Sequence, residues 1–251
     1  MGRAIVRLAA ETNDLEIACA VSMSDAGADA GELAGIKRIG VAVTRDLAAV
    51  EASGAHVVID FSGASAVADV AGAATRAGAA LVSGTTGLGE DAKAALDRAS
   101  AHIAVLWEPN MSVGVHVLGE LVRRAVAALG PTFDIEIVET HHRMKMDAPS
   151  GTALRLAESA AQARGDMRLV HGRGGPLAGS PARAPNEIGI HSVRGGDVVG
   201  DHSVHLIGDG ERLELVHRAT SRDVFAHGAL RAARWIHEKP AGRYALADVI
   251  A

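Results

Sequence analysis

The sequence predicts an α/β protein in two parts: a parallel sheet with helices on both faces, then a region of antiparallel strands and helices. Three observations predict it. Short apolar runs at 57–61, 80–83 and 103–107 each lead into an Ala-rich helical stretch, the alternation that yields a parallel sheet covered on both sides. Past residue 187 the pattern changes to alternating strands separated by Gly–Asp turn pairs, as antiparallel strands require. From residue 223 an Ala-rich helix returns, with Leu230, Ala233 and Trp235 to bury.

Taken in order, the chain opens on a helix, because Ala4, Ile5, Leu8 and Ala9 share one face and Asn13-Asp14 ends the element. Residues 15–21 read as a short buried strand, 25–40 as an irregular loop rich in Gly and Asp, and 46–53 as a short helix. The run 57–61 is the clearest strand of the first half; Ser62-Gly63 and a helix to 77 follow it. The strand at 80–83 leads into Gly84-Thr85-Thr86-Gly87 and a helix to 101. The strand at 103–107 ends at Glu108-Pro109-Asn110-Met111-Ser112, and a long helix then runs to 129. Ligands of parallel sheets bind at the carboxyl ends of the strands. Those ends are Ser62-Gly63, Gly84-Thr85-Thr86 and Pro109-Asn110-Met111. Each alone reads as a turn; three at one edge, small and hydroxylated, suit a flat, phosphate-bearing cofactor.

The stretch 134–153, DIEIVETHHRMKMDAPSGTA, concentrates chemistry. It starts as a strand, Ile135 and Ile137 alternating with Glu136 and Val138. It breaks into His141-His142-Arg143-Met144-Lys145, and Pro149 imposes a loop. Ser150-Gly151-Thr152 then opens a helix to 165. A helix start offers unpaired N–H groups and partial positive charge, a ready anion site. Gly151 admits a ligand to the backbone, and the Ser150 and Thr152 hydroxyls add donors. The expected ligand is a small molecule with a carboxylate or phosphate, beside groups able to move protons. Plainer roles stand next to this one: Ser150 as an N-cap only, Lys145 as a solvated charge. A His pair hints at metal, but neighbours on a strand face opposite ways. No HExxH or Cys/His cluster is present, so no metal is expected, and no GxSxG surrounds Ser150.

Beyond it, 170–186 reads as a Gly-, Pro- and Arg-rich mobile loop. Gly172-Arg173-Gly174-Gly175 has the look of a phosphate loop but no helix follows it, which argues against that role. Residues 188–215 read as antiparallel strands with tight turns at Gly195-Gly196-Asp197 and Asp209-Gly210. His202, His205 and His217 fall there, where structural or interface roles are expected.

Composition bounds the rest. The 251 residues, 48% hydrophobic, suffice for two compact domains. A net charge of −5 without a basic arm, and only two Trp, one Tyr and three Phe, argue against nucleic-acid binding. No run reaches the roughly 18 apolar residues of a membrane helix, and no signal-peptide pattern opens the chain. Cys19 is the sole cysteine, which excludes an internal disulfide and fits a cytoplasmic home; it reads as a small core residue.

At ETHHRMKMDAPSGTA the chain resembles the 4-hydroxy-tetrahydrodipicolinate (dihydrodipicolinate) reductases of lysine and diaminopimelate synthesis. The signature is a strand, His-His, a Lys three residues on, then Asp-Ala-Pro-Ser-Gly-Thr. Further support lies in 29–33, 84–87, 110–115, Val193-Arg194 through Gly200, and Phe225-Ala226, so the resemblance spans the whole chain. It implies a Rossmann-like parallel-sheet domain at 1–112 and 223–251, lacking its N-terminal strand. It also implies an α+β mixed-sheet domain at 113–222 that binds substrate and builds a homotetramer. The implied cofactor is NADPH or NADH, and the implied substrate a small dicarboxylate. Carried over by position, His141 and Lys145 form the acid/base pair, and His142, Ser150, Gly151 and Thr152 hold substrate. Gly84, Thr85 and Thr86 with Glu108, Pro109, Asn110 and Met111 line the nicotinamide end.

Two departures stand out. Met1-Gly2-Arg3 matches only the end of the family's Gly-x-x-Gly-x-Met-Gly-Arg loop, so a chain starting at Met1 is expected to bind NAD(P)H poorly, and further codons are expected upstream. Ser22-Met23 stands where the family often carries an acidic residue and an Arg, which leaves the nicotinamide preference open. Beside the reductase stand two other readings. One is a non-enzymatic remnant that keeps the substrate domain and oligomer but binds no dinucleotide. The other is a metal-dependent hydrolase, resting on the His pair alone.

Overall fold

The structure is a computed structural model that describes residues 1–173 and 182–250. The chain divides into two compact units, Met1–Val113 with Asp223–Ala251, and Gly114–Arg222.

The first unit begins with α1 (Gly2–Ala9), whose Ile5, Leu8 and Ala9 are buried. The apolar stretch 15–21 forms a ladder only at β1 (Ala20–Val21). Leu15 and Ile17 instead pack against the cluster around Ile5 and Leu8. A strand is defined by its neighbour, and among the described residues β1 has only β2 (Val43–Thr44), in parallel register. The expected loop at 25–40 contains a capped helix between them, α2 (Ala30–Leu33). The Asp29 carboxylate accepts from the N–H groups of Gly31, Glu32, Ile39 and Gly40. Burial opposes its charge, yet those four bonds outweigh it and lower its pKa. The helical turn therefore rests on partners up to 11 residues away, which local pattern does not reveal.

Next come α3 (Ala48–Ser53), stopped by Gly54 at φ 65, then β3 (Val57–Asp60), α4 (Val67–Ala77), β4 (Ala80–Ser83), α5 (Glu90–Ser100) and β5 (Ala104–Trp107). β4 is buried throughout and pairs in parallel with β3 and β5, as its uninterrupted apolar run requires. Leu81 and Val105 join Val67, Val70, Ala74 and Leu96 in one core cluster.

The second unit carries α6 (Val113–Leu129), β6 (Asp134–His141), α7 (Gly151–Arg164), β7 (Arg168–His171), β8 (Glu187–Arg194), β9 (Gly200–Ile207) and β10 (Arg212–Ala219). Its five-stranded sheet runs β10-β9-β6-β8-β7. Ile135 and Ile137 of β6 join Ile188, Ile190, Val204, Leu206, Leu118, Val122 and Leu156 in a core covered by α6 and α7. Two expectations change here. The stretch 188–215 is not wholly antiparallel. β9 and β10 form a hairpin through Gly210 at φ 82, but β8 and β9 are not neighbours, because β6 lies between them, parallel to β8 and antiparallel to β9. The 195–199 segment is thus a crossover and not a tight hairpin. The expected loop at 170–186 begins within β7, and residues 174–181, including Gly174 and Gly175, lie outside the described residues.

The chain returns to the first unit with α8 (Asp223–Ile236), β11 (Gly242–Tyr244) and α9 (Leu246–Ile250). β11 extends the parallel sheet to the order β11-β5-β4-β3. Ala229, Ala232 and Ile236 of α8 pack on Val82 and Leu106.

Candidate active site

β6 places its side chains alternately on the two faces of the sheet, so Glu139 and His141 share the buried face. Glu139 has no exposed surface. Its Oε2 lies 2.5 Å from His141 Nδ1. Arg194 sits beside His141 because β8 runs in parallel register with β6. Its two Nη atoms donate to the two Glu139 oxygens at 2.8 Å each. Burial opposes the Glu139 charge, but Arg194, Ser192 and His141 outweigh it and hold the carboxyl at about 2. Burial pushes His141 down, Glu139 pulls it back up, and the charges of Lys145 and Arg194 push it down again.

Ser150 is the N-cap of α7, its Oγ accepting from Ala153 N–H at 3.1 Å. The plain role therefore holds, and two contacts go beyond it. Ser150 N–H donates to Glu139 Oε1 at 3.2 Å, and Ser150 Oγ shares a 3.1 Å hydrogen bond with His202 Nε2. His202, for which a structural or interface role was expected, reaches this point because β9 pairs it with Glu139. Its ring meets that of His141 edge-on at 5.2 Å. Burial, then the neighbouring His141, lower its pKa to about 4. It is therefore neutral near pH 7.

Lys145 lies on the loop after β6, with Nζ donating to both Asp147 oxygens at 2.8 Å. Its side chain is 21% exposed, so it is sheltered rather than freely solvated. Arg194 also donates to the Asp147 carbonyl at 2.7 Å, tying this loop to β8. His142 N–H donates to Val198 O, joining the loop to the crossover. Gly151 is exposed and Thr152 half-buried at the start of α7. The structure thus gathers His141, Ser150 and the α7 N-terminus, with Lys145 close enough for its charge to bear on His141. Sequence reasoning passed over Glu139, Arg194 and His202. Glu139 was findable, two residues before His141 on a strand; the others depend on the strand order.

In the first unit, the ends of β3 and β4 are held by Asp60. Its carboxylate accepts from Ser83 Oγ at 2.7 Å, Thr85 Oγ1 at 2.8 Å and Ser62 N–H at 2.9 Å. The Thr85 hydroxyl is therefore turned inward, leaving Thr86 as the exposed hydroxyl of the turn. A Cβ on Gly84 would lie 2.2 Å from the Phe61 ring, so no side chain can stand there. Trp107 Nε1 donates to Thr85 O at 2.9 Å. Glu108 and Met111 are buried, Pro109 is half-buried, and Asn110 Oδ1 accepts from Ser112 N–H. A backbone stripped of Cβ at Gly84, an exposed Thr86 and a rim held rigid by Asp60 and Trp107 fit one end of a flat nicotinamide.

A cleft of about 320 Å³ lies at the opposite, amino ends of β3, β4 and β5, lined by His56, His102, His237 and Lys239 among others. Parallel sheets bind their ligands at the other edge. Among the described residues no group of three or more His, Cys, Asp or Glu is placed to hold a metal, and no helix is long and apolar enough to cross a membrane.

Two family profiles match the chain: dihydrodipicolinate reductase, N-terminus, over residues 1–111, and dihydrodipicolinate reductase, C-terminus, over 114–250. A 4-hydroxy-tetrahydrodipicolinate reductase of Anaeromyxobacter sp. (strain Fw109-5) is 53% identical over 100% of this chain and 93% of its own length. That of Myxococcus xanthus (strain DK1622) is 44% identical over the same shares. Among solved structures, the dipicolinate-bound dihydrodipicolinate reductase from Paenisporosarcina sp. TG-14 superposes with a TM-score of 0.78 over 97% of this chain and 92% of its own, at 24% identity.

Proposed function

The chain belongs to the dihydrodipicolinate reductase family, and from that membership we infer its reaction: reduction of 4-hydroxy-tetrahydrodipicolinate, with loss of water, to tetrahydrodipicolinate in lysine synthesis. The observation that carries the site reading is the buried Glu139–His141 pair beside the N-terminus of α7. It joins a proton-transfer group to an anion nest. The substrate is a small dicarboxylate. Thr152, Gly151 and Ser150 at the helix start, with His142, hold a carboxylate; Lys145 adds a cation and, with His141, the acid/base function. His141 exchanges its proton at Nε2, since Nδ1 is engaged by Glu139. A nicotinamide, NADPH or NADH, supplies the hydride when bound. Gly84, Thr86 and residues 108–111 would hold its nicotinamide end, with Thr85 supporting them from within.

The test is steady-state oxidation of NADPH and of NADH by the purified chain, with and without the substrate. Substrate-dependent oxidation is expected once nucleotide is raised until the rate saturates; none with either nucleotide, when titration shows it bound, would overturn the reading. In the same assay Thr152→Val is expected to raise KM about tenfold with kcat within about twofold, because binding uniform across the reaction appears in KM. A pure kcat effect would remove Thr152 from carboxylate binding.

A homotetramer and a cytoplasmic home belong to the same proposal; the lone free Cys19 supports the latter. The sheet face away from α6 and α7 supports the former. By register it carries Val138, Val193, Ile207 and Val216 among charged residues such as Glu136, His191, Glu214 and Arg218, with Val193 47% and Val216 40% exposed. Apolar side chains set in a charged surround suit an interface with a polar rim. Light scattering at micromolar concentration is expected to read four chains, and a monomer would refute the assembly.

A further inference from the structure

The reading of His141 as the acid/base group, on which this inference rests, leaves open what holds its ring. The ring occupies the last position of β6, where a strand end and a following loop fix little by themselves. Three groups act on it. Glu139 Oε2 meets Nδ1 at 2.5 Å. Arg194 grips both oxygens of Glu139 at 2.8 Å and the carbonyl of Asp147 at 2.7 Å. Gly200 leaves the far side clear, since a Cβ there would lie 3.0 Å from Nε2. Glu139 is ionised and can only accept, so Nδ1 carries a hydrogen and Nε2 is the nitrogen free to gain or lose one. A carboxylate set behind a histidine orients the ring and selects its tautomer, as it does behind metal-bound and catalytic histidines.

We propose that Glu139, clamped by Arg194, is the positioning residue of this site: it holds the His141 ring with Nδ1 protonated and presents Nε2 as the atom that exchanges the substrate's proton. The clamp reaches further. The Arg194 that holds Glu139 also holds the Asp147 carbonyl, two residues from Lys145, so the histidine and the lysine loop are set by one guanidinium. The charged and titratable groups facing His141 are Glu139 from its own strand, Arg194 from β8, His202 from β9 and Lys145 from the loop. Glu139 is the only negative charge among them.

The variant is Glu139→Gln in the full chain, assayed with nicotinamide and substrate. The amide keeps the shape but can donate as well as accept, so the tautomer is no longer dictated. The expected result is a fall in kcat of about 10–100-fold with KM within about threefold. Loss of the single negative neighbour also lowers the His141 pKa, so the alkaline limb of the kcat profile moves to lower pH. Glu139→Asp, which restores the carboxylate, is expected to regain part of the lost kcat and return the limb towards its original place. A structural role alone would move the melting temperature without moving the limb. Independently of activity, the ¹⁵N shifts of the neutral His141 ring are expected to report Nδ1–H in the unaltered protein and a mixture in the Gln variant. An Nε2–H ring in the unaltered protein overturns the proposal, even should Glu139→Gln fail to fold. Full turnover in His141→Gln with the ring as proposed would instead fell the catalytic reading and leave the positioning intact.

Discussion

Lys145→Ala is expected to lower kcat by about 10²–10⁴-fold, the range of a lost acid/base group, while the protein stays folded. The two halves of this expectation have separate grounds. Lys145 belongs to no core cluster, and its visible partner is Asp147, whose side chain is 63% exposed. Such a pair contributes about 0.2–1 kcal/mol at most, too little to threaten a domain with the core gathered around Ile135 and Ile137. The catalytic half follows from place. The loop that bears Lys145 is tied at His142 to the crossover and at Asp147 to Arg194, so the ammonium is delivered to a fixed position near His141. On the proposed reading the substrate brings carboxylates to that position, and the reaction needs a proton there. The variant should also change the histidine. The Lys145 charge depresses His141, so its removal should move the His141 limb of the kcat profile to higher pH, opposite to the effect expected of Glu139→Gln. Steady-state kinetics across pH, with thermal melting as the control, decides it. Near wild-type kcat would remove Lys145 from the chemistry.

Much of the first unit was legible because its signals are local. β4 reads as a strand from the buried apolar run Ala80-Leu81-Val82, and α4 ends at Gly78, which adopts φ 65 as a helix stop does. The candidate site was legible for the same reason: His141, Lys145 and Ser150 lie on one short stretch, and the helix start after Pro149 is a local event. What failed to read was set by partners far along the chain. Gly195-Gly196-Asp197 has the composition of a hairpin turn, and only the insertion of β6 between β8 and β9 makes it a crossover. The same insertion brings Arg194 to Glu139 across 55 residues and His202 to Ser150 across 52. α2 depends on Asp29 reaching Gly40, and β11 is three residues long, held by its pairing with β5. Glu139 is a different failure. The alternation that placed Ile135 and Ile137 inward places Glu139 inward too, but a strand carboxylate ordinarily faces water, and here the part-buried Arg194 guanidinium with His141 and Ser150 reverses that.

Gly228→Ala is expected to produce the largest loss of stability, and to do so against helix propensity. Alanine in a helix interior is ordinarily better than glycine by about 0.5–1 kcal/mol. Gly228 sits inside α8, so propensity alone predicts a more stable protein. Packing reverses the sign. A Cβ at this position would lie 1.7 Å from the Met111 carbonyl oxygen and 2.8 Å from its carbon. Both are backbone atoms, which cannot swing aside as a side-chain tip does. Ala226, Ala229 and Ala232 of the same helix are wholly buried, so tilting α8 to make room would break contacts along its length. Overpacking a core costs roughly 1–3 kcal/mol and occasionally more; movement of the backbone puts this site at the upper end. The effect should reach the proposed nicotinamide site too, because the displaced backbone is Met111, in the segment that follows β5. Urea denaturation and nicotinamide titration are therefore expected to shift together: a lower midpoint and weaker binding. Gly72→Ala is the matched control. It is also helical, but its added Cβ would meet only the far end of Arg76, at 3.4 Å, and it should stabilise by about 0.5–1 kcal/mol. If both substitutions stabilise, the approach of α8 to Met111 is softer than its geometry, and the helix does not hold the 108–112 segment in place.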